Sequence, residues 1–216
     1  MRNVHTIKNS IGQNLDITEI CLSDEPKGTA LILPGAGYSI QAPLMHYATN
    51  LLVKEGYQVI LADYAYNKEP YNSMSDEEYR SSVLKDGELI FEKVGQLRKD
   101  GSLLIVGKSI GTMMMAQESN FNRLSDVKAI WMTPLIHGEL VRQALEETKW
   151  PSLSIIGDQD FCYSPEAAEA IERNPLVNNE VIAGTDHALQ YEDDLLGSID
   201  VLKQVMESLV RFLQQS

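Results

Sequence analysis

The chain has 216 residues and a formal net charge of −13, with 44% hydrophobic and 23% charged residues. That is the balance of a globular protein long enough to bury a core without disulfide or metal staples. Its acidity excludes the basic footprint that nucleic-acid binding needs and disfavours an anionic membrane surface. The two cysteines, Cys21 and Cys162, match no metal or redox spacing and read as free thiols of a reducing compartment. No run approaches the ~18 apolar residues of a membrane span. The Met-Arg-Asn-Val-His start lacks a signal-peptide core, so a cytoplasmic location is expected.

Residues 4–22 alternate polar and apolar positions, as one or two antiparallel edge strands do. Short apolar runs rich in Val, Ile and Leu follow: Thr29 to Leu33, Tyr57 to Ala62, Ser102 to Val106, Val127 to Met132, Ser152 to Ile156 and Glu180 to Ala183. They are too short for helices and lack clean alternation, which predicts strands buried on both faces of a parallel sheet. Helical period separates them. Ser75 is placed to cap a helix carrying Tyr79, Val83, Ile90, Val94 and Leu97, with Gly101 just past its end. The final segment sets Leu195, Ile199, Leu202, Met206, Leu209 and Leu213 at spacings of three and four, predicting a helix packed by that stripe. This alternation predicts a three-layer, doubly wound α/β architecture with a mostly parallel sheet, in a single domain over 1–216.

The segment with chemistry in it is Gly107-Lys108-Ser109-Ile110-Gly111. This Gly-x-Ser-x-Gly directly follows an apolar strand and directly precedes the helical Thr112-Met113-Met114-Met115-Ala116, the context a nucleophile elbow requires. Flanking glycines let strand and helix approach closely, and the turn pushes the serine hydroxyl out at the C-terminal edge of the sheet.

In these features the chain, from about Thr29 onward, resembles the α/β-hydrolase superfamily, and within it the small dienelactone hydrolase-like and short-chain esterase-like members. The resemblance implies the order nucleophile, acid, histidine, each after a strand. Gly157-Asp158-Gln159-Asp160 looks like the family's Gly-x-x-Asp acid turn, and Gly184-Thr185-Asp186-His187 like its histidine loop. Ser109 is then the nucleophile, His187 the base that takes its proton, and a carboxylate behind the imidazole fixes the tautomer. Asp160 fits the acid register. Asp158 is the competitor and reads better as a turn cap, while Asp186 is adjacent to the histidine and poorly placed. The resemblance also implies an oxyanion hole from the backbone N–H of Ile110 and one from Leu33-Pro34-Gly35-Ala36-Gly37-Tyr38, with Ala36 the first choice and Gly37 an alternative. Pro34 stands where the family has histidine.

Two phosphate-loop readings fail. Gly107-Lys108-Ser109 ends like a P-loop, but Ser102 stands where its first glycine belongs, and the third glycine of a dinucleotide fingerprint would fall at Ile40. Met113 to Met115 read as core filler. No metal spacing occurs, and no cofactor is implied. His5, His46 and His137 read as surface or packing residues, with His137 able to border the pocket. Pro134 to Trp150 leaves room for a loop and one helix, which predicts little or no lid. The open site so implied has Gly37, Tyr38, Lys108, Leu135 to Leu140 and the tyrosines Tyr66 and Tyr71 as candidate wall. The expected activity is hydrolysis of a small carboxylic ester or thioester through an acyl-enzyme. The alternatives are acyl transfer or lactone or peptide-bond cleavage on the same triad, or a catalytically silent binding protein.

Overall fold

The computed structural model describes residues 1–99, 101–117 and 126–214. Its strands are β1 (Arg2–Lys8), β2 (Asn14–Ile20), β3 (Gly28–Leu33), β4 (Gln58–Asp63), β5 (Ser102–Lys108), β6 (Val127–Met132), β7 (Ser152–Gly157) and β8 (Val177–Ile182). Its helices are α1 (Pro43–Lys54), α2 (Asp76–Leu97), α3 (Gly111–Ala116), α4 (Glu139–Glu147), α5 (Pro165–Glu172) and α6 (Leu195–Gln214). The strands form one sheet in the order β1-β2-β4-β3-β5-β6-β7-β8. β1 and β2 are antiparallel to each other, and β2 to β4, while every other neighbouring pair is parallel.

The doubly wound topology follows from where each strand buries its side chains. β3 and β7 are buried throughout, as expected of strands covered on both faces. On one face Leu31, Leu33, Ile105, Ala129 and Trp131 pack with α2, α3, α4 and α5; on the other Ala30, Ile32, Leu104, Val106 and Ile130 pack with α1 and α6. The sequence reverses its direction of travel across the sheet between β3 and β5. Loops after these two strands therefore part, and a crevice opens at their C-terminal ends, where α/β sheets place ligands.

Most helix signals are local and hold. The Ser75 hydroxyl accepts from the Glu78 N–H while the Glu78 carboxylate accepts from the Ser75 N–H at 2.9 Å, a reciprocal capping box opening α2. Two expectations shift. β8 starts at Val177 rather than Glu180, because an edge strand with one neighbour tolerates Asn178 and Asn179. In α6 the buried stripe is Val201, Val205, Ser208, Leu209, Phe212 and Leu213, whereas Leu195 and Ile199 are exposed. Two overlapping stripes share the 3–4 spacing, and the sheet face selects one.

Tyr66 and Tyr71, expected at the pocket wall, are 1% and 5% exposed and turned into the core. Their hydroxyls donate to the buried Asp86 of α2 at 2.9 and 3.4 Å, and the Ser10 N–H donates to the same carboxylate at 2.6 Å. Burial first, and the Asp86 charge next, push both phenols far above the ordinary tyrosine range, so they remain donors. Asp86→Leu strands these donors and is expected to destabilise the protein by about 2–5 kcal/mol. Urea unfolding measures this, and an unchanged midpoint would show that the network contributes nothing.

Candidate active site

Ser109 sits at the tip of the turn from β5 into α3 with φ of 51°, in the left-handed region that non-glycine residues rarely occupy. The flanking glycines show why the turn is possible. A Cβ on Gly107 would stand 2.2 Å from the Met115 Sδ, and one on Gly111 would stand 2.3 Å from the Leu33 carbonyl oxygen. The elbow is thus pressed against the end of β3, and the Ser109 N–H donates to the Met132 carbonyl at 3.0 Å, tying it to β6 as well.

Two further loops complete the site. The turn after β7 carries Asp160, whose side chain is fully buried; the loop after β8 carries His187, which is half-buried. Parallel pairing of β7 with β8 sets these turns side by side, and Gly157 allows contact so close that a Cβ there would lie 2.0 Å from the Thr185 carbonyl oxygen. The His187 Nδ1 lies 2.8 and 2.9 Å from the two Asp160 oxygens, and its Nε2 lies 2.8 Å from the Ser109 Oγ. A carboxylate only accepts, so Nδ1 carries the proton and Nε2 is free to accept from the serine hydroxyl. The Cys162 N–H donates to Asp160 Oδ1 at 2.8 Å, fixing the carboxylate further.

The competing acids go elsewhere. Asp158 Oδ1 accepts from the Gly184 N–H at 2.7 Å and staples the two turns together. Asp186 Oδ1 accepts from the N–H groups of Ala188 and Gln190 at 2.8 and 3.0 Å, shaping the histidine loop.

The loop after β3 passes directly over the serine. A Cβ on Gly35 would lie 3.5 Å from the Ser109 Cβ. Three bonds hold this loop: the Tyr64 hydroxyl donates to the Pro34 carbonyl at 2.5 Å, the Gly35 N–H to the Tyr38 carbonyl at 3.1 Å, and the Leu44 N–H to the Tyr38 hydroxyl at 3.1 Å. Pro34, in the place of the family's histidine, thus keeps an anchored turn through its carbonyl. Ala36 and Tyr38 are half-buried and Gly37 is exposed, while Ile110 lies buried at the start of α3. Lys108, expected in the pocket, is 1% exposed and lies beneath the histidine loop rather than in the mouth of the site.

Sequence reasoning missed two residues. Phe161 is 75% exposed, yet its ring centroid lies 4.5 Å from that of His187, giving the imidazole an apolar neighbour. An aromatic directly after the acid was the available signal. Cys162 is fully buried, and burial, then the Asp160 charge, push its thiol up to about 12, so it stays protonated. Among the described residues, Asp160, Cys162 and His187 bring one ligand-type atom each within 4.8 Å. The carboxylate and imidazole there stand at hydrogen-bond distance, which leaves no room for a cation between them. No described helix is long and apolar enough to cross a membrane.

This arrangement matches known proteins at the level of fold. A serine hydrolase homologue from Coxiella burnetii superposes with a TM-score of 0.72 at 16% identity, covering 97% of this chain and 96% of that one. A protein of unknown function from Agrobacterium tumefaciens gives 0.74 at 16% identity over 98% and 97%. A lidless serine hydrolase from Xanthomonas campestris gives 0.67 at 17% identity over 98% and 94%. The short span from β6 to β7, holding only α4, agrees with a fold without a lid. No curated protein matches the sequence. The alpha/beta hydrolase domain model matches residues 26–214, from the approach to β3 through the end of α6. With the strand order, the sharp turn at Ser109 and the turns after β7 and β8 all lying inside that span, the chain belongs to the alpha/beta hydrolase domain family.

Proposed function

We propose that the protein hydrolyses a small carboxylic ester or thioester through an acyl-enzyme on Ser109. The observation that carries this reading is the continuous relay from the Ser109 Oγ through His187 to the buried Asp160, at 2.8 Å on each side of the ring. The serine oxygen attacks the carbonyl carbon as its proton passes to Nε2. The resulting oxyanion is received by the N–H groups of Ile110 and Ala36, an arrangement typically worth about 3–4 kcal/mol per donor. Collapse breaks the bond to the alcohol or thiol, which leaves with the proton from Nε2. Water then attacks the acyl group, His187 takes its proton, and collapse releases the acid and returns that proton to Ser109. Phe161 supplies apolar surface beside the base.

The test is reaction with a fluorophosphonate, followed by mass spectrometry to locate the adduct. Modification of Ser109 that disappears in His187→Ala is the expected outcome. A folded protein that takes up no label would point to a binding role instead.

A further inference from the structure

Lys108 takes no part in the acylation steps above, yet its ammonium is held where such a charge is costly. It is 1% exposed, and an ammonium buried without partners is strongly destabilising. Its partners come from three separate loops. The Nζ donates to the His187 carbonyl at 2.7 Å and to the Thr133 Oγ1 at 2.8 Å, and stands 4.6 Å from the centroid of the Tyr38 ring. Thr133 itself is held at φ of 42°, a strained backbone that the surrounding contacts must maintain. Because Lys108 precedes Ser109 in the chain, one side chain joins the residue before the nucleophile to the backbone of the base.

We propose that Lys108 is a positioning residue whose charged ammonium locks the histidine loop to the strand end bearing Ser109, holding the imidazole in reach of the serine hydroxyl. The inference rests on the acyl-enzyme reading above. His187 is then gripped twice, by Asp160 through its ring and by Lys108 through its carbonyl. A charge-assisted bond is roughly twice as strong as a neutral one, and a shift of about 1 Å in a reacting group can cost about 100-fold in rate.

The charge of this clamp depends on pH. The groups facing the ammonium are Asp160 and Cys162 from the turn after β7, Asp186 and His187 from the loop after β8, and the Tyr38 ring from the loop after β3. Burial pushes Lys108 down to about 8, against the attraction of Asp160 and Asp186. Burial also holds Cys162 up at about 12 and raises Tyr38, so neither changes charge near pH 8. The Lys108 charge is therefore lost as the pH rises through about 8.

The experiment is the rate of fluorophosphonate modification of Ser109 between about pH 6.5 and 9.5, for the wild type, Lys108→Met and Lys108→Arg, with circular dichroism as the folding control. The wild-type rate should fall about 3- to 10-fold around pH 8 as the clamp weakens from charge-assisted to neutral. Lys108→Met should be about 30- to 100-fold slower at pH 7 and show no fall at alkaline pH. Lys108→Arg, charged throughout, should recover part of the rate and remain flat. A merely structural lysine would produce slow variants without an alkaline fall in the wild type. A flat wild-type profile, or Lys108→Met reacting at the wild-type rate, overturns the proposal. If neither variant folds, the wild-type profile decides alone. A wild type unmodified at every pH overturns the acyl-enzyme reading and this one with it, whereas a reactive wild type matched by Lys108→Met overturns only the role of Lys108.

Discussion

Replacing Ser109 by alanine is expected to lower turnover of a small ester by about four to six orders of magnitude, with the fold intact. The loss is large because the relay has no second hydroxyl: the His187 Nε2 has its hydrogen bond with this oxygen alone among the described residues. Residual catalysis would come from the backbone N–H groups of the loop after β3 and of Ile110, which the substitution leaves in place. Stability should change little, since alanine and serine suffer the same left-handed strain at φ of 51°. Ser109→Gly sharpens the test. It should be equally inactive yet more stable than the wild type by about 1 kcal/mol, because glycine adopts that φ freely. Thermal unfolding beside an ester assay measures both. Activity retained in either variant would move the nucleophile away from Ser109.

The second large effect concerns the acid. Asp160→Asn is expected to cost about 10⁴-fold in turnover. An amide can present its NH₂ to the His187 Nδ1, which favours the tautomer that carries the proton on Nε2 and cannot accept from the serine. Asp158→Asn should cost under about threefold, since the amide oxygen can still accept from the Gly184 N–H. Steady-state kinetics of the two variants decide between these carboxylates. The reverse ranking would mean that the bond between Asp160 and His187 is not the one used in turnover.

Both predictions concern residues visible in the sequence, and the reason is that their signals are local. An elbow needs an apolar strand, two glycines flanking the serine and a helix, all within a few adjoining turns. Gly107 and Gly111 are required by the close approach of Met115 and Leu33, so the pattern survives as residue identity. Runs such as Thr29 to Leu33 and Ser152 to Ile156 read as fully buried strands because both faces of a central parallel strand are covered, and α2 announced its start through Ser75. The preference for Asp160 over Asp158 was also partly legible, through the Gly-x-x-Asp register that the resemblance implies.

What the sequence left open depends on contacts between distant segments. Val201 and Ile199 are equally apolar neighbours on a helix, and only the position of the sheet decides that the first is buried and the second exposed. Tyr66 and Tyr71 lie in a loop near the site by sequence, yet a carboxylate on α2 draws them into the core. Phe161 is an ordinary exposed aromatic until the pairing of β7 with β8 sets it against the imidazole. Lys108 reads as a pocket residue beside the elbow, and its destination is fixed by three loops that meet only after the strands have ordered themselves. By itself the sequence determined the fold class and the elbow around Ser109, because short-range sterics write buried strands and flanking glycines into residue type, while the resemblance singled out Asp160 and His187 as candidates. Tertiary structure alone decided which side chains surround them, because burial and partner are properties of the assembled sheet.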